Sequence, residues 1–347
     1  MAKIEIGSES YEDLPRRDTD FYADAPVTAA GGLMAPFTPE HLGVPEGGEV
    51  SGGGSMARQM LRVFVQNKLA VISAIFIVVL VLLCIIIPMF YSASYWASAS
   101  NDFTSTCFNS TQPGTSGSAA PSWGHLLGCT TGYDNVALLL YAGRFSLLIG
   151  LLAGLATMLI GTAYGIFSGY RGGKIDSGLM RLNDVFLSIP GLYLLLLVIT
   201  IYGSSIWSLI FVIGFTSWFG VARLMRSEAQ ILRDREFSQA ARSMGATGRR
   251  VMWRHVMPNS VSTMMTATTF AIGDSVIVLA TLGFLGLALQ PPDFDWGTMV
   301  NYASSQYELG YWWTLWPVAI VFILFVLSTN YIGDALRDAF EVRLQER

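Results

Sequence analysis

Few side chains in this sequence could do chemistry, and their spacing excludes most of it. His41, His125 and His255 fall in three segments of different character, so no serine–histidine–carboxylate triad can be assembled from neighbours. The cysteines Cys84, Cys107 and Cys129 fit no thiolate metal spacing such as a CxxC pair. ATP hydrolysis needs a phosphate-cradling loop of the form GxxxxGK[ST]. The nearest run, Gly172-Gly173-Lys174-Ile175, lacks the first glycine and the hydroxyl residue, so no ATP hydrolysis is expected. One carboxylate stands apart. Asp274 sits near the middle of a long apolar run, where an ionised side chain costs about 2.5–3.5 kcal/mol on insertion scales and must find water or a partner. Two readings follow: a pathway residue meeting the charged amine of a passing solute, or a polar knot with Ser275, Thr268 or a residue of a partner chain.

A second spacing is mechanical. Phe237, Ala240, Ala241 and Met244 recur at i, i+3, i+4 and i+7, one face of a helix. Asp234 is placed to cap its start, Glu236 complements the positive end of its dipole, and Gly245 suits a left-handed terminating position. A second short helix is expected from Arg249 to Met257, running up to Pro258. A basic helix lying on lipid would present Trp or Leu. This face is Ala and Met, and the flanking Arg233, Asp234, Arg235 and Glu236 mix sign. A small knob of this kind is expected to seat in a protein groove.

The elements that position these residues are membrane helices. The chain of 347 residues is 52% hydrophobic and 13% charged, about half the charge of a soluble domain. A spanning helix needs about 20 apolar residues, and six segments qualify: Leu69–Tyr91, Phe145–Phe167, Val185–Tyr202, Ile206–Ala222, Val261–Leu289 and Trp313–Ile332. The third and fourth, separated by Gly203, Ser204 and Ser205, read as a tight hairpin. Lys and Arg collect in cytoplasmic loops. The loops 92–142, 203–205 and 290–312 carry none, whereas eight arginines lie between Arg223 and Arg254. The fold is therefore expected to be all-α, with six transmembrane helices and both termini cytoplasmic. Glycines 143, 150, 154, 161 and 165 lie along one face of the second helix, a packing track in lipid.

Residues 1–55 are an acidic tail, with ten carboxylates against Lys3, Arg16 and Arg17, read as disordered. Residues 56–68 form a basic amphipathic lead-in to the membrane. The loop 92–142 is extracytoplasmic, on the oxidising side, so a Cys107–Cys129 bridge is expected to close it. Residues 143–335 form the core, with the cytoplasmic loop 223–259 within it, and 336–347 are the cytoplasmic C-terminus.

Gln239-Ala240-Ala241, Gly245 four residues on and Pro258 thirteen beyond resemble the EAA loop of permease subunits in bacterial binding-protein-dependent ABC importers. Gln239 stands where glutamate is usual. Other runs resemble the dipeptide/oligopeptide/nickel group and its C-type permease: His125-Leu126-Leu127-Gly128 with Gly132-Tyr133-Asp134, Arg144-Phe145-Ser146-Leu147, and Met180-Arg181-x-x-Asp184 with Pro190. Arg254-His255, the run Gly283-Phe284-Leu285-Gly286-Leu287 with Gln290-Pro291-Pro292 and Trp296-Gly297, and Gly333-Asp334-x-Leu336-Arg337-Asp338 complete the likeness. The resemblance implies the type I permease fold of ABC importers in a bacterial cell membrane. It also implies a coupling helix seated in an ATPase subunit: Glu236, Phe237, Gln239, Ala240, Ala241, Met244, Gly245 and Pro258.

Its implied partners are a second homologous permease, two ATPase subunits or one fused ATPase, an extracytoplasmic solute-binding protein and membrane lipid, with no nucleic acid. ATP and magnesium belong to the ATPases, and this chain is expected to hold no cofactor or metal. Peptides are the group's commonest cargo; nickel or another small solute is the alternative. A self-sufficient secondary transporter would show repeats and several intramembrane charges, and a bare membrane anchor would leave the long cytoplasmic loop unexplained.

Overall fold

The computed structural model describes residues 56–90, 120, 121, 123, 126–130, 133–290 and 293–345. The tail 1–55 and Cys107 lie outside the described residues. Among the described residues twelve α-helical segments follow one another: α1 (Met56–Gln66), α2 (Lys68–Phe90), α3 (Asn135–Arg171), α4 (Gly173–Ser188), α5 (Gly191–Tyr202), α6 (Ile206–Asp234), α7 (Glu236–Ser243), α8 (Gly248–Val251), α9 (Met257–Asn259), α10 (Val261–Phe284), α11 (Trp296–Glu308) and α12 (Trp316–Gln345). Two two-residue strands, β1 (Cys129–Thr130) and β2 (Tyr133–Asp134), pair antiparallel with Cys129 opposite Asp134. Asp134 then turns the chain into α3, its carboxylate accepting from the backbone N–H of Val136 and Ala137 at 3.0 and 2.9 Å.

Among the described residues five helices are long and apolar enough to cross a membrane, and the bent pair α4–α5 makes a sixth. The expected third span, Val185–Tyr202, needs correction. The helix breaks at Ile189–Pro190 and the two pieces meet at 82°. Proline disfavours helical backbone in the residue before it, and Ile189 is extended at φ −83°, ψ 124°. With 12 residues α5 is about 18 Å long, short of the roughly 30 Å hydrocarbon layer. The fifth span stops at Phe284, short of the expected Leu289, because Gly286 takes φ +75°. The N–H groups of Gly286 and Leu287 then return to the carbonyls of Gly283 and Leu282, at 2.9 Å each. The segment 290–312, expected as a loop, contains α11. Buried Asp295 caps it, accepting from Gly297 N at 2.8 Å and Thr298 N at 3.1 Å. Burial pushes the Asp295 carboxyl up, and the hydroxyl and backbone bonds from Thr298 pull it back.

The glycine track of α3 is a packing device that meets three neighbours in turn. A Cβ at Gly143 would lie 2.7 Å from Cys84 Sγ of α2, and one at Gly154 would lie 2.7 Å from Ile272 Cα of α10. One at Gly165 would meet the Ala222 carbonyl oxygen of α6 at 2.4 Å. Small residues allow such backbone approach where lipid supplies no hydrophobic drive. Trp296-Gly297 works likewise at the N-terminal end of α11. Trp296 is buried and donates through Nε1 to the Leu139 carbonyl at 3.1 Å, while a Cβ at Gly297 would meet the Ala280 carbonyl at 2.1 Å. Lipid-type surface remains on α2, where Ile72, Ile75, Val78 and Leu82 are exposed.

Candidate functional site

The expected fourth span ends at Ala222, yet α6 runs on unbroken to Asp234 and makes an arm of 29 residues, about 43 Å. Carboxylates stiffen its distal half. Arg226 binds Asp176 of α4 through two guanidinium nitrogens at 2.6 Å each. The same buried carboxylate accepts from Ser168 Oγ of α3 at 2.6 Å and Gln230 Nε2 at 3.2 Å. Arg223 pairs with Asp184, also on α4. Three helices are thus fastened at one end of the bundle. Sequence reasoning missed this cluster; the available signal was an acid, Asp176, inside a segment otherwise marked by Arg171, Lys174 and Arg181.

At Arg235 the backbone becomes extended (φ −69°, ψ 151°) and α7 folds back. Asp234 does not cap α7, contrary to expectation. It is the last residue of α6, its carboxylate is held by Arg233 at 3.0 Å, and the N-cap position falls to Arg235, which makes no side-chain cap. Two other groups join α7 to α6. Ser238 Oγ donates to the Leu232 carbonyl at 2.7 Å and Gln239 Nε2 donates to the Asp234 carbonyl at 2.9 Å. A glutamate at 239 has no proton to give in its ionised form, so the departure from the EAA pattern serves a bond inside this chain.

The expected four-residue face of α7 is divided. Ala241 is 5% exposed and packs with Tyr170, Met225, Leu232, Val251 and Val256. Ala240 and Phe237 are exposed, and Met244 is 82% exposed. Two of the charged or polar residues of the set, Glu236 and Gln239, lie exposed on the same short helix. Ala241 therefore anchors the knob, and Phe237, Ala240 and Met244 present it. Gly245 ends the helix as expected, at φ +85°, with its N–H on the Arg242 carbonyl at 2.9 Å and the Ala246 N–H on the Ala241 carbonyl at 3.0 Å.

The following helix starts at Gly248 and departs from the expected continuous Arg249–Met257 helix. A π-helical turn, Met252–Val256, lies between α8 and α9. Pro258 brings no N–H and crowds the carbonyl four residues back, and the wider turn before it returns the Met257 N–H to the Met252 carbonyl. The ring of Phe237 lies 6.4 Å from that of His255 on this turn.

Asp274 stands on α10, exposed, at midspan. The knot with Ser275 and Thr268 is not formed. Ser275 Oγ donates to the Ala271 carbonyl and Thr268 Oγ1 to the Met264 carbonyl, both at 2.7 Å. Each hydroxyl satisfies its own helix one turn back, so neither is turned to the carboxylate. Cys129 is buried and disulfide-bonded, and Cys84 is a buried free thiol.

Long apolar helices, one of them continued as an arm that carries a short projecting helix, define a polytopic membrane protein. Residues 161–346 match the model of the family described as binding-protein-dependent transport system inner membrane component, and residues 55–109 match the N-terminal TM domain of oligopeptide transport permease C. The chain belongs to the binding-protein-dependent transport system inner membrane component family. It is a multi-pass protein of the bacterial inner membrane.

A peptide permease protein of Brucella ovis is 34% identical over 84% of this chain and 92% of its own length. The glutathione transport system permease protein GsiD of Pectobacterium atrosepticum is 32% identical over 83% of this chain and 91% of its own. The oligopeptide transport system permease protein OppC of Haemophilus influenzae is 30% identical over 83% and 89%. A chain of the inward-facing MetNI methionine ABC transporter aligns with 58% of this chain at TM-score 0.48 and 19% identity, a likeness too distant to build on.

Proposed function

We propose that this chain is one permease half of an ATP-driven importer of peptides. It pairs with a second, homologous permease and is driven by two ATPase subunits, or one fused ATPase, that bind ATP and magnesium. It receives cargo from an extracytoplasmic solute-binding protein. Peptide cargo rests on relatives named for peptides, oligopeptides and glutathione. The observation that carries the coupling role is the knob of Phe237, Ala240 and Met244, held outward on an arm continuous with a spanning helix. Glu236, Gln239, Ala241, Gly245 and Pro258 shape and anchor it.

The test separates seating from folding. Met244→Glu alters only an exposed side chain, so the protein should reach the membrane in normal amount while peptide uptake by the assembled transporter falls at least tenfold. Ala241→Glu places an unpaired carboxylate in a closed core and should instead lower the amount of folded protein. Normal uptake by Met244→Glu refutes the coupling role. Asp274 serves as the pathway residue of this reading, since its carboxylate has no hydroxyl of its own helix to bind.

A further inference from the structure

The coupling reading leaves unused a group of arginines on the inner side of α7. A cavity of about 920 Å³ opens between the ends of α3, α6 and α7, α8 and the π-helical turn after it. Arg171, Arg233, Arg242 and Arg249 line it, and Asp234 is the one carboxylate in its wall. Asp234 is already paired with Arg233. Among the described residues no ion pair engages the other three guanidiniums; Arg171 lies 5.5 Å over the Phe167 ring and Arg242 lies 5.4 Å over the Tyr170 ring.

Tyr170 supplies an independent observation. It lines the same cavity, is only 8% exposed, and its hydroxyl is buried with no hydrogen-bond partner. Buried polar groups are rarely left in that state. Two guanidiniums without an ion-pair or hydrogen-bond partner among the described residues, those of Arg171 and Arg249, a third that reaches only the Arg233 carbonyl at 3.5 Å, and one idle donor converging on a cavity suit a single anion with several acceptor oxygens, as a phosphate is. The rim indicates where the phosphate comes from. Phe167, one turn before the end of α3, and Trp253 are both exposed beside the arginines. Aromatic side chains at the end of a spanning helix sit at headgroup level, and basic pockets between helices on the cytoplasmic side suit lipid headgroups.

We propose that this cavity binds the phosphate of an anionic phospholipid of the cytoplasmic leaflet, with Arg171, Arg242 and Arg249 as charge partners and the Tyr170 hydroxyl as an added donor. The proposal rests on the cytoplasmic placement of this end and not on what the chain transports. Full-length protein in detergent, titrated with phosphatidylglycerol or phosphatidylcholine and read by native mass spectrometry, should retain one phosphatidylglycerol at concentrations where phosphatidylcholine is lost. Arg171→Gln/Arg249→Gln should weaken that adduct roughly thirtyfold, at the usual worth of a basic residue near an anionic surface. Lys68→Gln/Lys174→Gln, removing equal charge from the same end, should not.

Tyr170→Phe deletes only the partnerless oxygen and so leaves packing intact; it should weaken the adduct several-fold, and it keeps the test decisive if the arginine variant fails to fold. Equal retention of the two lipids, or equal loss in both double variants, overturns the proposal. Displacement of phosphatidylglycerol by millimolar inorganic phosphate would assign the site to a free anion and overturn the lipid source.

Discussion

Gly165→Ala adds one methyl group where the structure has no room for it. The new Cβ would lie 2.4 Å from the Ala222 carbonyl oxygen, 2.8 Å from Met225 Cβ and 2.9 Å from Arg226 N, all on α6. Ordinary contact begins at 3.4 Å, so the carbonyl must retreat by 3.4 − 2.4 = 1.0 Å. It is helix backbone and cannot rotate away as a side chain would. The retreat must move α6 as a body, against the Arg226–Asp176 bridge one turn further on. Overpacking of this kind costs about 1–3 kcal/mol.

The control lies on α6 itself. Gly220 is exposed and a Cβ there meets nothing within 4 Å, so Gly220→Ala should gain up to about 1 kcal/mol of helix propensity. The two alanine variants should therefore differ by roughly 1–4 kcal/mol. Thermal unfolding of the purified protein in detergent checks this, with Gly165→Ala melting lower by several degrees. Equal melting temperatures would refute the backbone-contact account of the glycine track.

Arg226→Ala should cost about 3–5 kcal/mol, because it strands the buried Asp176 carboxylate; Asp176→Asn added to it should restore part of the melting temperature, and no restoration would deny the charge origin. Non-reduced peptide mapping should recover Cys107 linked to Cys129, since Cys84 is a free thiol and Cys129 is bridged; alkylation of Cys107 in fresh, unreduced membranes would count against the pairing. Asp274→Leu should lower uptake at least tenfold with the assembled complex intact, as a pathway residue requires. If the variant no longer co-purifies with the second permease, Asp274 is an interface group instead.

Legibility varied with the range of the physics. Gly245 was readable because a left-handed cap is a property of one residue and its two neighbours, and Asp274 stood out because a charge in an apolar run is conspicuous wherever it points. Helix lengths were less readable. Hydropathy marks the membrane portion of a helix, so Phe145–Phe167 and Ile206–Ala222 missed the polar turns that continue α3 to Arg171 and α6 to Asp234. Hydropathy is blind to the restriction that Pro190 places on Ile189, so Val185–Tyr202 reads as one span although the backbone is extended at Ile189. The division of the α7 face was beyond a periodicity argument. Ala240 and Ala241 are chemically identical neighbours, and only the fold-back at Arg235 decides which of them meets Tyr170 and Val251.

The fastenings on α7 bear on how a push on the knob would travel. Ser238, Gln239 and Ala241 tie α7 to α6 at three points, so a displacement of Met244 cannot be absorbed by α7 swivelling alone. Nor can α6 slide freely, because Gly161, Gly165 and Gly169 bring α3 into backbone contact with it, and close-packed surfaces have discrete rather than continuous rearrangements. Gly150 and Gly154 extend the same contact from α3 to α10, which bears Asp274. From the knob to the midspan carboxylate the chain is therefore joined by backbone-level contacts and one buried ion pair. The soft place lies elsewhere, at Ile189–Pro190, where no helical ladder continues from α4 into α5. If force enters at α7, relative motion should concentrate at that bend, with α3, α6 and α10 moving together. Spin labels on Ser243, an exposed α7 residue outside the knob, and Ile277 should then keep their separation through a transport cycle, while a label on Tyr202 moves relative to both.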